Sequence, residues 1–184
     1  MLPERIREHL WTDLPLVAFL IALDVTARLL PHAPGVWPLA ASALFAGRVL
    51  RLPMLAVIVP LGALLLSNAA LTADDWRVTL VVCLATVVPA FAGMLARRWR
   101  GALPVIAAML SSSLVFFLST NLAVWAFSGM YSLTWQGLLE CIVAAIPFLD
   151  RTVLGDLLWI AVLFGGYWAF LRLPAFSSRP FQPR

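Results

Sequence analysis

Cys83 lies inside an apolar run that begins after Asp74-Asp75-Trp76 and ends at Arg97-Arg98-Trp99-Arg100. A thiol in such a run is either a small buried hydrophobe or a soft ligand suited to a late first-row transition metal. Its i−4 and i+3 neighbours are Thr79 and Thr86, a mildly polar stripe on one helix face. Other polar side chains fall in apolar surroundings: Asn68, Thr120, Asn121 and Asp156, with His32 just after the first apolar run and Tyr131 and Trp135 between the last two. Polar groups inside a membrane are costly and tend to mark function. Each also has a structural reading. Asn68 and Asn121 can hydrogen-bond between helices, and Ser111-Ser112-Ser113 can act as helix-packing glue. Asp156 can cap a helix start or pair with Arg151. Asp24 and Arg28, at i and i+4 in the favourable order, are expected to form an internal ion pair. Cys141 reads as packing.

The elements that carry these residues follow from composition. The chain has 184 residues, 62% of them hydrophobic and 12% charged, with a mean hydropathy of +0.95. A soluble domain carries about 25% charged residues, so this is an all-α, polytopic membrane protein. Six apolar runs span residues 14–30, 36–46, 53–71, 78–96, 102–127 and 153–171. The second is short; eleven residues rise only about 16 Å, half a hydrocarbon core. Between the fifth and sixth runs, residues 128–152 form a long connection. In it, residues 138–146 read as a re-entrant or interfacial helix, capped by Thr134 and ended by Pro147. The segmentation is a cytoplasmic N-terminal segment (1–13), a six-helix domain (14–172) and a cytoplasmic tail (173–184).

All 13 basic residues are arginine, and they sit at the ends of apolar runs. That placement excludes a nucleic-acid interface despite the net charge of +4. With the N-terminus in the cytoplasm, ten of the thirteen (Arg5, Arg7, Arg48, Arg51, Arg97, Arg98, Arg100, Arg172, Arg179 and Arg184) fall inside. Both termini are then cytoplasmic, and the polar residues collect in the outer half of the bundle. The economical reading is a cavity open to the outside. No HExxH, GxSxG or glycine-rich phosphate loop occurs, so no enzyme constellation stands out.

Several separated blocks resemble a bacterial six-helix membrane family similar to the substrate-binding S components of energy-coupling-factor (ECF) vitamin transporters. They are Arg28-Leu29-Leu30-Pro31-His32-Ala33-Pro34, Phe116-Phe117-Leu118-Ser119-Thr120-Asn121-Leu122-Ala123-Val124-Trp125, Gly129-Met130-Tyr131, Ala144-Ala145-Ile146-Pro147-Phe148 and Leu154-Gly155-Asp156-Leu157-Leu158. The cysteine in the fourth run is similar to that of one branch, the solitary cobalamin transporters of the BtuM type. That resemblance implies a bacterial inner-membrane uptake protein that binds cobalamin in an outward-facing cavity. It implies Cys83 as the cobalt ligand, with cysteine-dependent decyanation as a side reaction. It further implies Trp125, Tyr131 and Trp135 as flat contacts to the corrin, Asn68 and Asn121 as partners of its amides, and His32 as a further contact. Ala18 and Ala22 fit the Ala-x-x-x-Ala spacing by which S components dock an ECF energising module, a partner that a solitary transporter does not need. Two other readings compete: an S component for another vitamin or small ligand, and a membrane enzyme or assembly scaffold that transports nothing.

Overall fold

The computed structural model describes residues 4–30, 35–68 and 75–172, with side chains from Arg7 onward. Among these residues the chain is all-helical, in the order α1 (Glu4–Leu29), α2 (Leu39–Val49), α3 (Pro53–Asn68), α4 (Trp76–Ala96), α5 (Leu103–Phe127) and α6 (Trp135–Leu171). Four of them, α1, α4, α5 and α6, are long and apolar enough to cross a membrane; α2 and α3 are shorter apolar helices. The outer surface is studded with exposed Phe19, Leu65, Leu84, Phe91, Leu118 and Leu158. A hydrocarbon solvent accepts such a surface and water does not.

The shortest helix sits at the centre. α2 packs on all five others, which follow one another around it as α1, α3, α4, α5 and α6. Its residues are suited to that place: Ala41, Ala43, Leu44 and Ala46 are completely buried. Small side chains let backbones approach closely, the main route to helix association in lipid. The approach is tightest against α4, where a Cβ on Gly47 would collide with the Ala90 carbonyl and one on Gly93 with the Leu44 carbonyl. The ring is open: α1 and α6 make no substantial packing contact. A groove of about 840 Å3, lined by Phe19, Leu23, Trp159 and Tyr167 among others, lies between them.

At one end of α2 the arginines tie helix ends together. Arg97 donates from Nε to the Gly47 carbonyl (2.6 Å) and from Nη2 to the Leu50 carbonyl (2.6 Å). Arg48 reciprocates, donating to the carbonyls of Ala96 and Trp99. Each guanidinium thus satisfies carbonyls left over at the C-terminus of the other's helix. Asp13 on α1 accepts from the amides of Arg51 and Leu52 at the start of α3 (2.8 and 3.0 Å). The arginines that orient the sequence therefore also lock this end of the bundle.

The connection between the fifth and sixth runs differs from expectation. There is no separate re-entrant helix over 138–146 and no break at Pro147; α6 runs unbroken from Trp135 to Leu171, about 55 Å. Thr134 does cap it, accepting from the Gly137 amide. Proline also lies inside α1, α3 and α4. A helix packed in a bundle can carry a proline where its neighbours, nearby hydroxyls or local adjustment satisfy the freed carbonyl.

Candidate binding chamber

Because α2 begins only at Leu39, its neighbours run past it. α4 starts ten residues before Thr86, α5 continues to Phe127 and α6 starts well before Thr152. The space over the α2 N-terminus is a cavity of about 90 Å3. Its wall takes Arg28 from α1, Trp37 and Leu39 at the start of α2, Leu64 from α3, and Val82 and Thr86 from α4. Ser112, Ser113 and Phe116 from α5 and Thr152 and Asp156 from α6 complete it. Ser113, Phe116 and Thr152 also line a second cavity of about 200 Å3, which reaches Asn121 and Phe148 between α5 and α6.

The chamber holds charge in an apolar bundle. Asp156 is 2% exposed and accepts from Ser113 Oγ at 2.7 Å. It neither caps α6 nor pairs with Arg151, because it lies well inside the helix, facing α5. Arg28 donates from Nη1 to Ser67 Oγ (2.6 Å) and Asn68 Oδ1 (3.2 Å) and lies over the Trp37 ring, 5.9 Å from its centroid. The expected Asp24–Arg28 ion pair does not form. Asp24, fully buried, accepts instead from Ser42 Oγ on α2 at 2.8 Å, and its Oδ2 has no partner. The i, i+4 spacing places the two side chains on one face, but polar partners on α3 and α2 take each of them first.

The residues singled out in the sequence divide into two groups. Asn68 stands beside Arg28 and bonds it. Asn121 borders the second cavity, donating to the Phe117 carbonyl of its own helix. Trp125 Nε1 donates to the Ser132 carbonyl in the α5–α6 turn (2.9 Å), near half-buried Tyr131 and Trp135, which is 73% exposed at the start of α6. Cys83 is half-buried on α4, with a free thiol. It packs with Ile21, Val25 and Val82 against Leu39, Ala63 and Leu64. Leu39, Leu64 and Val82 line the chamber and Cys83, which packs on the same cluster, does not. Cys141 is buried and reaches the Asn121 carbonyl at 3.5 Å, a packing contact across α5 and α6. Ala18 and Ala22 are exposed on α1. His32 lies outside the described residues. Trp37 and Thr152 escaped the sequence reading: Trp37 was counted only as part of the short second run, and Thr152 falls in the connection just before the sixth. Arg28, Ser112, Ser113 and Asp156 were visible, but as packing or pairing residues.

Residues 8–177 match the model of DUF6580, a family of unknown function. No curated protein and no solved structure matches the chain.

Proposed function

Because the chain belongs to the DUF6580 family, whose function is unknown, we propose its function from the chamber itself: a membrane uptake component that captures a small ligand over the end of α2. The observation that supports this is a mainly apolar cavity that brings Arg28, Asp156 and a few hydroxyl side chains together inside a bundle with a lipid-compatible exterior. A half-buried Arg and a buried Asp that do not bond each other are expensive in such surroundings and are kept where a ligand uses them. In this reading all six helices enter the bilayer, α2 and α3 as short members supported by their neighbours. Both termini lie in the cytoplasm of a bacterial inner membrane, and the chamber faces outward. The exposed Ala18 and Ala22 then leave α1 a small-residue face for an ECF energising module.

Cobalamin is the ligand that the family resemblance implies, and the position of Cys83 favours keeping it as a second reading. Cobalt in a corrin already has four nitrogen ligands and needs one axial donor from the protein. A thiolate is a soft donor suited to such a metal, and Cys83 is a half-buried free thiol on α4. The cavities of about 90 and 200 Å3 are below the range of about 300–1,000 Å3 usual for drug-sized ligands. A corrin exceeds both cavities, so the helices around them would have to part to admit it. Protein purified after incubation with cobalamin decides between the readings. A corrin absorption band that shifts or disappears in Cys83→Ala supports cobalamin and Cys83 ligation. A colourless, folded wild type removes cobalamin and leaves the smaller-ligand reading. Failure of cells that express the protein, against cells that lack it, to accumulate any compound that it binds would sink the uptake function and favour an enzyme or scaffold.

A further inference from the structure

We infer that the chamber recognises a small zwitterion, with a cationic nitrogen held at Asp156 and an anionic group at Arg28. The inference rests on the uptake reading and names the substrate class for the same site. It starts from the two charges in one wall. Arg28 and Asp156 both line the cavity of about 90 Å3, yet their partners are neutral: Ser67 and Asn68 for the arginine, Ser113 for the aspartate. Two opposite charges in one apolar chamber attract strongly unless something holds them apart. Here each is anchored to a different outer helix, Arg28 through α3 and Asp156 through α5, so they cannot collapse onto one another without breaking those bonds.

Arg28 uses only Nη1 in its bonds among the described residues, which leaves its remaining N–H donors for a carboxylate or phosphate group. The carboxylate of Asp156, 2% exposed, takes one hydroxyl proton from Ser113 and has acceptor capacity to spare. A ligand carrying one sign alone would satisfy one of these groups and leave the other buried without its counter-charge, a costly state. A ligand with both signs completes both. Phe116 and Trp37 supply an apolar wall for its body; the hydroxyls of Thr86, Ser112 and Thr152 donate to carbonyls of their own helices and keep only acceptor capacity for it. An amino acid and a zwitterionic lipid headgroup share this chemistry, and the experiment has an arm for each.

The test uses the full chain in phosphatidylglycerol nanodiscs, so that no zwitterionic headgroup competes. Thermal unfolding is followed with each common amino acid, with the matching amine lacking its carboxylate and with the matching acid lacking its amine. At least one amino acid is expected to raise the midpoint while its two single-charge analogues do not. Asp156→Asn and Arg28→Gln are each expected to weaken apparent affinity about thirtyfold or more. Should either variant unfold, Ser113→Ala and Arg28→Lys keep a charge in place, and each is expected to weaken binding less than full neutralisation. In the second arm, phosphatidylethanolamine replaces phosphatidylglycerol with no amino acid added; stabilisation of the wild type that both charge variants lose makes the headgroup the source. The inference is overturned by equal stabilisation from a single-charge analogue, by binding that persists in both neutral variants, or by no response to any amino acid or to phosphatidylethanolamine. An amino acid that binds but is not taken up by cells that express the protein, against cells that lack it, leaves the inference standing and sinks the uptake reading. A corrin band with no zwitterion response does the reverse.

Discussion

Asp24 shows how far single residues can be read from the chain. Its spacing to Arg28 was legible, and helical geometry does put both on one face. What the spacing could not reveal was Ser42, eighteen positions away, or Ser67 and Asn68 on α3. Tertiary partners decide which of several possible bonds a buried charge makes. Since Ser42 Oγ is the partner of Asp24 and the other carboxylate oxygen has none, Ser42→Ala leaves a fully buried acid with no hydrogen bond. The expected cost is about 1–3 kcal/mol, read from equilibrium unfolding in detergent or lipid. Measured again in an Asp24→Leu background, which has no acceptor, the cost of Ser42→Ala should shrink; an unchanged cost would mean that Ser42 acts through packing alone. The same contrast applies to Cys83: its run was visible in the sequence, whereas its packing against Leu39, Ala63 and Leu64 depends on how the helices meet.

Elements were read more securely than contacts, because apolar run length and flanking charge are local properties. The fifth run was expected at 102–127 and α5 spans Leu103–Phe127; the Thr134 cap was likewise found where a hydroxyl precedes an apolar stretch. Pro147 misled because its meaning depends on its surroundings. A proline ends an isolated helix, but a packed one continues where neighbouring groups or local adjustment accommodate the lost bond. Gly47 and Gly93 carry a sharper consequence. At their crossing the α2 and α4 backbones touch, and a single methyl group on either glycine meets a carbonyl of the other helix. Gly93→Ala is therefore expected to destabilise the protein by about 1–3 kcal/mol, outweighing the roughly 1 kcal/mol that alanine gains in helix propensity. An unchanged or higher unfolding midpoint would show that the two helices are not in backbone contact.

For the whole molecule, the positions of the arginines in the sequence foretold an orientation, and the structure gives those residues a second task. Arg48 and Arg97 clasp one end of α2 and α4, and the chamber lies at the other end of α2. If the clasp faces the cytoplasm, a cysteine at position 98 and one at position 128 stand on opposite sides of the membrane. In a Cys83→Ala, Cys141→Ala background, a membrane-impermeant maleimide should label Ser128→Cys in intact cells and Arg98→Cys only after permeabilisation. The reverse pattern would invert the topology and close the chamber to the outside.

Five helices set the width of the chamber, but its floor is the first turn of α2. That helix has 11 residues, so its length acts as a gauge: one added turn at Leu39 would raise the floor by about 5.4 Å and one lost would deepen the site equally. The walls need not change for this to happen. The depth of the chamber can thus change by adjusting where a single buried helix begins, leaving the clasped end untouched.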